Sequence, residues 1–292
     1  PQIMAGPIDR AYNFIPQLKQ TTRLLGNEIR SGINLFILGF IKKALIADNI
    51  SSIVDNAFSH ADQYTAMSIL AAAFLYTIQI YCDFSGYTDM ANGITRLLGY
   101  KIVPNFHYPY FSPNISVFWR RWHISLSDWL RDYIYISWLG GNRVSRLRNY
   151  FNIMVTMLLC GLWHGAGWNF VFWGGLHGAA LIIYRAWSHL NVKRRFLPTL
   201  SGRYLGFVIT FAFVCLGWIF FRADSLQAAI KIMLTLAGFQ SAGTKTISPF
   251  WLLLALFVVF EYAYYELVGR ESSGAPLLPN WAYSVYIGAL IA

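Results

Sequence analysis

Long apolar segments alternate with short polar ones along most of this chain. A helix needs about 20 apolar residues to cross the hydrocarbon core of a membrane, and about 17 is a workable minimum. By that measure, the segments predicted to span a membrane are 31–47, 65–82, 205–221 and 249–268, and a further apolar run begins at Ala282. The pattern therefore predicts an all-α, polytopic membrane protein. In the first segment, Lys42 and Lys43 are expected to extend from a helix end toward the polar interface.

The middle of the chain has an amphipathic pattern instead. Within residues 115–136, aromatic and aliphatic side chains recur at spacings of three and four, which predicts one helix with a single apolar face. These side chains are Phe118, Trp122, Leu126, Trp129 and Tyr133. Such a helix is expected to lie at the interface or to pack inside the protein at membrane depth. Residues 225–237 predict a second amphipathic helix.

Residues 150–187 contain two apolar arms around a glycine-rich turn. The first arm, 150–162, would be about 20 Å of helix, which is too short to cross a membrane. Both flanks are basic: Arg143, Arg146 and Arg148 precede the segment, and Lys193, Arg194, Arg195 and Arg203 follow it. The positive-inside rule places both flanks in the cytoplasm, so the segment is predicted to enter the membrane and return. Its turn, which carries His164, should then lie at membrane depth.

Composition supports membrane insertion. Charged residues make up 12% of the chain, about half of the roughly 25% usual in soluble domains, while hydrophobic residues reach 56%. The net charge of +10 is explained by Lys and Arg residues in cytoplasmic loops. The sequence has no continuous basic stripe, so nucleic-acid binding is not indicated. Cys82, Cys160 and Cys215 lie in apolar segments and have neither disulfide-framework nor metal-ligand spacing, so no metal site is predicted.

The chain begins at Pro1 without a methionine and ends at Ala292 inside an apolar run. We interpret it as an internal piece of a longer polytopic protein, with 1–292 forming a single integral membrane domain.

His164 is the first candidate for chemistry. An ionisable side chain at membrane depth indicates a functional site, and imidazole, with an ordinary pKa near 6.5, suits general-base work. The neighbouring Gly161, Gly165 and Gly167 are expected to let a substrate approach the ring, and Trp163 with Trp168 to exclude water. The alternative is a histidine hydrogen-bonded between packed helices; the glycines and the depth favour catalysis.

His123 is the second candidate, because it follows Arg120 and Arg121, which could hold a phosphate or carboxylate by bidentate hydrogen bonds. An interfacial helix with aromatic anchors explains the same residues equally well. Most of the nearby aspartates are expected to form structural ion pairs, but Asp83 directly follows a hydrophobic span and could orient a histidine. His177, flanked by glycines in the returning arm, is expected to be structural.

The chain contains six sequence motifs in order: PQIMAGPIDR (1–10), DFSGYTDMANGITRLLGY (83–100), NFHYPYFSPNISVFWRRWHISLSDWLRDYIYI (105–136), LGGNR (139–143), GLWHGAGWNFVFWGGLHG (161–178) and WIFFRADS (218–225). Together they closely resemble the membrane-bound O-acyltransferase family, especially its bacterial alginate O-acetyltransferase branch. The resemblance covers nearly the whole chain. The branch usually reads Asn-Phe-Asp where this chain has Asn105-Phe106-His107.

The resemblance implies a ring of transmembrane and re-entrant helices around a thinned central funnel, with His164 as the catalytic histidine. His123 is predicted to be the second catalytic residue, which orients a group or binds the donor. It places the FWRRWH motif on the cytoplasmic side, where the acyl donor arrives. Donor or substrate binding is assigned to Trp119, Arg120, Arg121, Trp122, Asp83, Asp128, Arg131, Trp163 and Asn169. No bound cofactor is implied; the donor is an acyl thioester, either acetyl-CoA or an acyl carrier.

The function implied is acetyl transfer in the bacterial inner membrane. The acceptor would be an exported polysaccharide or peptidoglycan, reached directly or through a periplasmic partner protein. D-alanyl transfer to teichoic acid is the alternative within the enzyme class, since that branch shares the tryptophan-histidine and arginine-pair motifs. Alternatives of another class are a transporter with a broken helix at the midplane, for which no inverted repeat is found, and a subunit of an export complex.

Overall fold

The computed structural model describes residues 7–19, 26–189, 200–238, 243–252 and 256, and most of these are helical. The α-helices are α1 (Ala11–Leu18), α2 (Gly26–Phe40), α3 (Asp48–Ser59), α4 (Ala66–Leu97), α5 (Ile115–Trp119), α6 (Ile124–Trp129), α7 (Arg146–His164), α8 (Trp168–His189), α9 (Leu200–Arg222) and α10 (Leu226–Leu236). Apart from an isolated bridge between Tyr64 and Lys245, no described residue lies in a strand, so the all-α prediction is confirmed.

The chain divides into two compact units, residues 1–247 and 248–292. Every helix from α1 to α10 belongs to the first unit. In the second unit, the described residues 249–252 form a helical turn. The predicted span 249–268 falls mostly outside the described residues, and the apolar run from Ala282 falls entirely outside them.

Within the described residues, two helices are long and apolar enough to cross a membrane, Ala66–Leu97 and Tyr204–Arg222. They contain most of the predicted spans 65–82 and 205–221. Helix α4 begins where the Thr65 hydroxyl accepts a hydrogen bond from the Ser68 amide, a standard N-terminal cap. The α4 helix then continues well past residue 82, through the whole DFSGYTDM motif.

The predicted span 31–47 is helical throughout, first as α2 and then as a π-helical segment, Ile41–Ala47, that leads into α3. Glycines bring α2 and α4 into backbone contact: a Cβ added to Gly39 would lie 2.4 Å from the Gly86 carbonyl oxygen. Lys42 donates to Asp89 (2.6 Å) and Lys43 pairs with Asp83 (2.6 Å), so each lysine lies against a carboxylate on α4.

The prediction of one amphipathic helix over 115–136 is wrong. Helix α5 ends at Trp119, α6 starts at Ile124, and the chain continues as a π-helical segment, Leu130–Trp138. Two features explain the break. The His123 backbone adopts the left-handed conformation (φ 42°), which no helix continues through, and the adjoining amides bond to the loop at Asn105 instead. The apolar stripe is also interrupted, since Tyr133 at its far end is half exposed.

Helices α7 and α8 form the predicted hairpin, joined by Gly165-Ala166-Gly167. Helix α7 has 19 residues, more than the apolar arm of 150–162, because its polar first turn, capped by Ser145, is helical too. Neither arm is among the helices apolar enough to span a membrane. Glycines again hold the pair together, since a Cβ on Gly174 would lie 2.3 Å from the Met157 carbonyl oxygen. The amphipathic helix predicted at 225–237 is α10.

Candidate active site

His164 is the last residue of α7, at the tip of the hairpin, and is half-buried. Aromatic rings surround its imidazole: the ring centroids of Trp163, Trp173 and Phe221 lie 4.9, 5.4 and 5.0 Å from its own. No described residue hydrogen-bonds to the imidazole, so both ring nitrogens are available to a reacting group. The helix end therefore presents an imidazole with open ring nitrogens among aromatic side chains, an arrangement that allows it to accept a proton from a bound hydroxyl.

The glycines beside His164 do not leave room for a substrate, contrary to the expectation from sequence. A Cβ on Gly161 would lie 2.2 Å from the Phe170 carbonyl oxygen, and one on Gly165 would meet the Phe170 ring at 2.6 Å. The glycines are thus needed for close packing of the turn against α8. Trp168 is 76% exposed and does not exclude water from the imidazole; Trp173 and Phe221 take that role.

His123 occupies the break between α5 and α6 and is 3% exposed. Its ring packs edge-on against Phe84 (4.6 Å between centroids) and lies 6.0 Å from Trp163. A positive φ is uncommon for any residue other than glycine, so the surrounding contacts must hold this backbone in place. Strained, well-packed backbone of this kind is typical of functional sites.

Asn105 fixes the orientation of His123. Its side-chain oxygen lies 3.0 Å from His123 Nδ1, and the same oxygen accepts from the Ser125 amide (3.2 Å) and the Ser125 hydroxyl (2.9 Å). Because a backbone amide can only donate, the shared atom must be the amide oxygen. Nδ1 therefore carries the proton, and the lone pair of His123 is on Nε2.

Burial lowers the pKa of His123 from 6.5 to about 3, and the neighbouring His164 lowers this pKa further. The imidazole of His123 is thus neutral at physiological pH. Trp163 packs against both imidazoles, so the structure brings the two predicted histidines and Trp163 into one cluster. A neutral, oriented imidazole beside a neutral base can hold or relay a proton during acyl transfer.

A second group of predicted residues lines a cavity of about 630 Å³, bounded by α5, the Leu130–Trp138 segment, α7 and α8. Trp119, Arg120 and Arg131 are on its wall. Trp119 also connects the cavity to the interior, because its indole N–H donates to His177 Nδ1 (3.3 Å) and its ring contacts Trp173. His177 itself is fully buried between these rings, as expected for a structural histidine.

The remaining predicted binding residues make structural contacts. Arg121 donates to the Phe111 carbonyl oxygen (3.0 Å), and Trp122 is buried against Phe106, Phe118 and Trp218. The other contacts are Asp83 with Lys43, Asp128 with Arg131 (2.5 Å), and the amide of Asn169 with the Ala223 carbonyl oxygen (3.0 Å). None of these five residues joins the histidine cluster.

The sequence pattern gives no prediction for two residues of these sites, Asn105 and Arg185. Asn105 belongs to the Asn-Phe-His stretch, in which the sequence singles out only His107; His107 itself is exposed. Arg185 lies on α8 and lines the cavity. Its spacing from Tyr184 and His189 carries no motif, so only the packing of α8 against α5 reveals it.

Comparison with known proteins agrees with the motifs. Residues 1–226 match the sequence profile of the membrane-bound O-acyltransferase family. The "probable alginate O-acetylase" of Azotobacter vinelandii is 40% identical over 284 residues, covering 94% of this chain and 55% of that relative. A peptidoglycan O-acetyltransferase of Helicobacter pylori is 43% identical, covering 82% of this chain and 45% of that relative.

A more distant relative is a teichoic acid D-alanyltransferase of Bacillus subtilis, 31% identical over 235 residues, or 76% of this chain and 58% of that relative. The chain thus spans about half the length of the relatives it matches.

Proposed function

This chain belongs to the membrane-bound O-acyltransferase family, and we propose that it moves an acetyl group from a cytoplasmic thioester to a hydroxyl of an exported polysaccharide or peptidoglycan. The acceptor is reached directly or through a periplasmic partner. One observation carries the proposal: His164 and His123, 41 residues apart in sequence, pack on the same Trp163 ring. A pair of neutral imidazoles among aromatic rings suits proton transfer to and from a hydroxyl.

In the proposed reaction, the acceptor hydroxyl attacks the thioester carbonyl while His164 takes the hydroxyl proton. The new C–O ester bond forms, the C–S bond breaks, and the departing thiolate takes the proton from His164. His123 presents its Nε2 lone pair to a hydrogen-bond donor of the reacting molecules and orients that group. General-base help of this kind is typically worth about 10²–10⁴-fold in rate.

Acetyl is preferred over D-alanyl as the transferred group. The acetyl-transferring relatives are 40% and 43% identical to this chain, whereas the D-alanyl-transferring relative is 31% identical. The residues of the LGGNR and GLWHGAGW motifs also resemble those of the acetyl-transferring branch.

The membrane arrangement completes the proposal. The protein lies in the bacterial inner membrane as a multi-pass ring of helices around a thinned centre, with the α7–α8 turn inside that centre. Support comes from the basic residues on both flanks of the hairpin and from the spans α4 and α9. The donor is free acetyl-CoA or an acetylated carrier.

The test is substitution of His164 by alanine in the full-length protein. Acetate released by mild alkali from exported polymers should fall at least about 10²-fold, while the amount of protein in the membrane stays unchanged. His60→Ala is the matched control, because His60 is exposed at the end of α3 and far in sequence from the hairpin. Acetylation within a few-fold of wild type in His164→Ala would end the proposal.

A further inference from the structure

Two buried nitrogens on α8 have no hydrogen-bond partner among the described residues: Nε1 of Trp173 and Nε2 of His177. Their side chains are 1% and 0% exposed, and the two rings pack against each other with centroids 4.8 Å apart. Leaving a buried polar group unpaired is costly, so most such groups in folded proteins bond to a protein atom or to ordered water. A small ligand that both nitrogens can reach is therefore expected.

Both nitrogens are hydrogen-bond donors. The indole nitrogen of Trp173 carries a proton and cannot accept. In His177 the other ring nitrogen, Nδ1, lies 3.3 Å from the indole nitrogen of Trp119, which can only donate, so Nδ1 must accept. Because Nδ1 is unprotonated, the proton of His177 is on Nε2. The expected ligand is thus an acceptor that can take hydrogen bonds from two N–H groups.

Gly217 on α9 leaves space beside these two donors. A Cβ added to Gly217 would lie 3.3 Å from His177 Nε2 and 3.9 Å from Trp173 Nε1, and no backbone atom of α8 would be nearer to it than these nitrogens. At Gly161 and Gly174, by comparison, a backbone carbonyl oxygen of the facing helix fills the corresponding place. The glycine on α9 therefore faces the two unpaired donors, whereas the other two face a backbone.

We propose that one water molecule is bound beside Gly217, between α8 and α9, and that it accepts hydrogen bonds from Trp173 Nε1 and His177 Nε2. A water oxygen can accept one bond from each donor, and buried waters ordinarily make about two to four hydrogen bonds to groups that are otherwise unpaired. The space next to a single glycine suits a ligand of one heavy atom.

This water gives a reason for a histidine at position 177. Its Nδ1 accepts from Trp119 on α5, and its Nε2 donates to the water at α9, so one imidazole connects three helices. Trp173, which also holds the water, packs on the His164 ring with centroids 5.4 Å apart. The water thus supports a ring against which the candidate base packs, and its binding does not depend on which group the protein transfers.

The experiment compares two substitutions of Gly217 in the full-length protein in lipid nanodiscs. Gly217→Ala places a methyl group where the water is bound and leaves both donors unpaired, so the melting temperature should fall by about 3 °C or more. Gly217→Ser adds the same Cβ with a hydroxyl oxygen that can accept in place of the water, and should recover about half of that loss or more. Gly175→Ala is the control, because its Cβ would meet the Leu158 side chain at an ordinary 3.6 Å and should change the melting temperature little.

A dry space beside Gly217 predicts a different order. The methyl group would then fill a gap, and alanine is the better helix former, so a Gly217→Ala variant at least as stable as wild type overturns the inference. A Gly217→Ser variant no more stable than Gly217→Ala also overturns it, because the loss is then steric: both substitutions add the Cβ that lies 3.3 Å from His177 Nε2.

An electron-microscopy map of the wild-type protein, at a resolution that shows ordered waters, tests the site directly. Density within about 3.2 Å of both Trp173 Nε1 and His177 Nε2 supports the proposal. A map that shows other buried waters but no density beside Gly217 overturns it.

Discussion

Asn105→Ala tests whether the orientation of His123 matters for transfer. The side-chain oxygen of Asn105 accepts three hydrogen bonds, from His123 Nδ1, the Ser125 amide and the Ser125 hydroxyl. The hydroxyl can rotate to another acceptor, but the amide and Nδ1–H cannot. Each buried donor left without a partner costs about 1–3 kcal/mol, so the variant should lose about 2–6 kcal/mol, toward the lower value if water enters the vacated space.

Catalysis should suffer more than stability explains. Without the acceptor at Nδ1, the proton of His123 can move to Nε2, which removes the lone pair from the side facing the site. We expect transfer to fall about 10–10²-fold, measured as thiol release from an acetylated pantetheine donor by full-length protein in nanodiscs. Asn152→Ala is the control: Asn152 is fully buried and donates to the Leu139 and Gly141 carbonyl oxygens. It precedes His164 on α7 by 12 residues, about 18 Å along the helix.

Asn105→Asp separates positioning from packing. The carboxylate keeps the acceptor but places a negative charge next to the imidazole, which raises the pKa of His123 from its low value of about 3. His123 should then become protonated as pH falls, so the transfer rate of this variant should drop on the acid side and recover at higher pH. If Asn105→Ala loses no more rate than Asn152→Ala, or Asn105→Asp shows the wild-type pH profile, the assigned role is wrong.

Two further predictions follow from packing and burial. Gly174→Ala should prevent stable folding or sharply reduce the protein level, because its Cβ would lie 2.3 Å from the Met157 carbonyl oxygen, whereas Gly175→Ala, whose Cβ would meet its nearest atom at 3.6 Å, should be near neutral. In thermal unfolding between pH 6.5 and 5, wild type should lose stability as pH falls, because the unfolded chain binds a proton at His123 and the folded protein, with a pKa of about 3, does not. His123→Gln should reduce this loss by up to about 1.4 kcal/mol per pH unit; an unchanged slope would contradict the burial of a neutral His123.

The helices α4 and α9 and the hairpin could be predicted from the sequence, because the length of an apolar segment is set by residues that are neighbours in the chain. The break in the FWRRWH motif could not be predicted in this way. The stripe from Phe118 to Leu126 has helical spacing, and the contact that ends the helix is made with Asn105, 18 residues before His123. A contact across that separation leaves no periodic signal in either segment.

The glycines around His164 show a related limit of sequence reasoning. A glycine beside a functional residue can make room for a substrate or for another backbone, and the sequence is the same in both. The structure decides for the second explanation, because Phe170 fills the space beside both Gly161 and Gly165. The adjacent residues Arg120 and Arg121 also have different roles. The Arg120 guanidinium lines the cavity, whereas that of Arg121 donates to the Phe111 carbonyl oxygen in the turn before α5.

The α7–α8 hairpin sets the position of His164, the base of the proposed mechanism. His164 is at its tip, and the two helices touch through their backbones: a Cβ on Gly161 would lie 2.2 Å from the Phe170 carbonyl oxygen, and one on Gly174 would lie 2.3 Å from the Met157 carbonyl oxygen. Helices packed this closely leave little freedom for one to slide on the other, since any shift would press side chains into a backbone. The fold therefore holds the imidazole at one place relative to the rings of Trp173 and Phe221, which lie 5.4 and 5.0 Å from it.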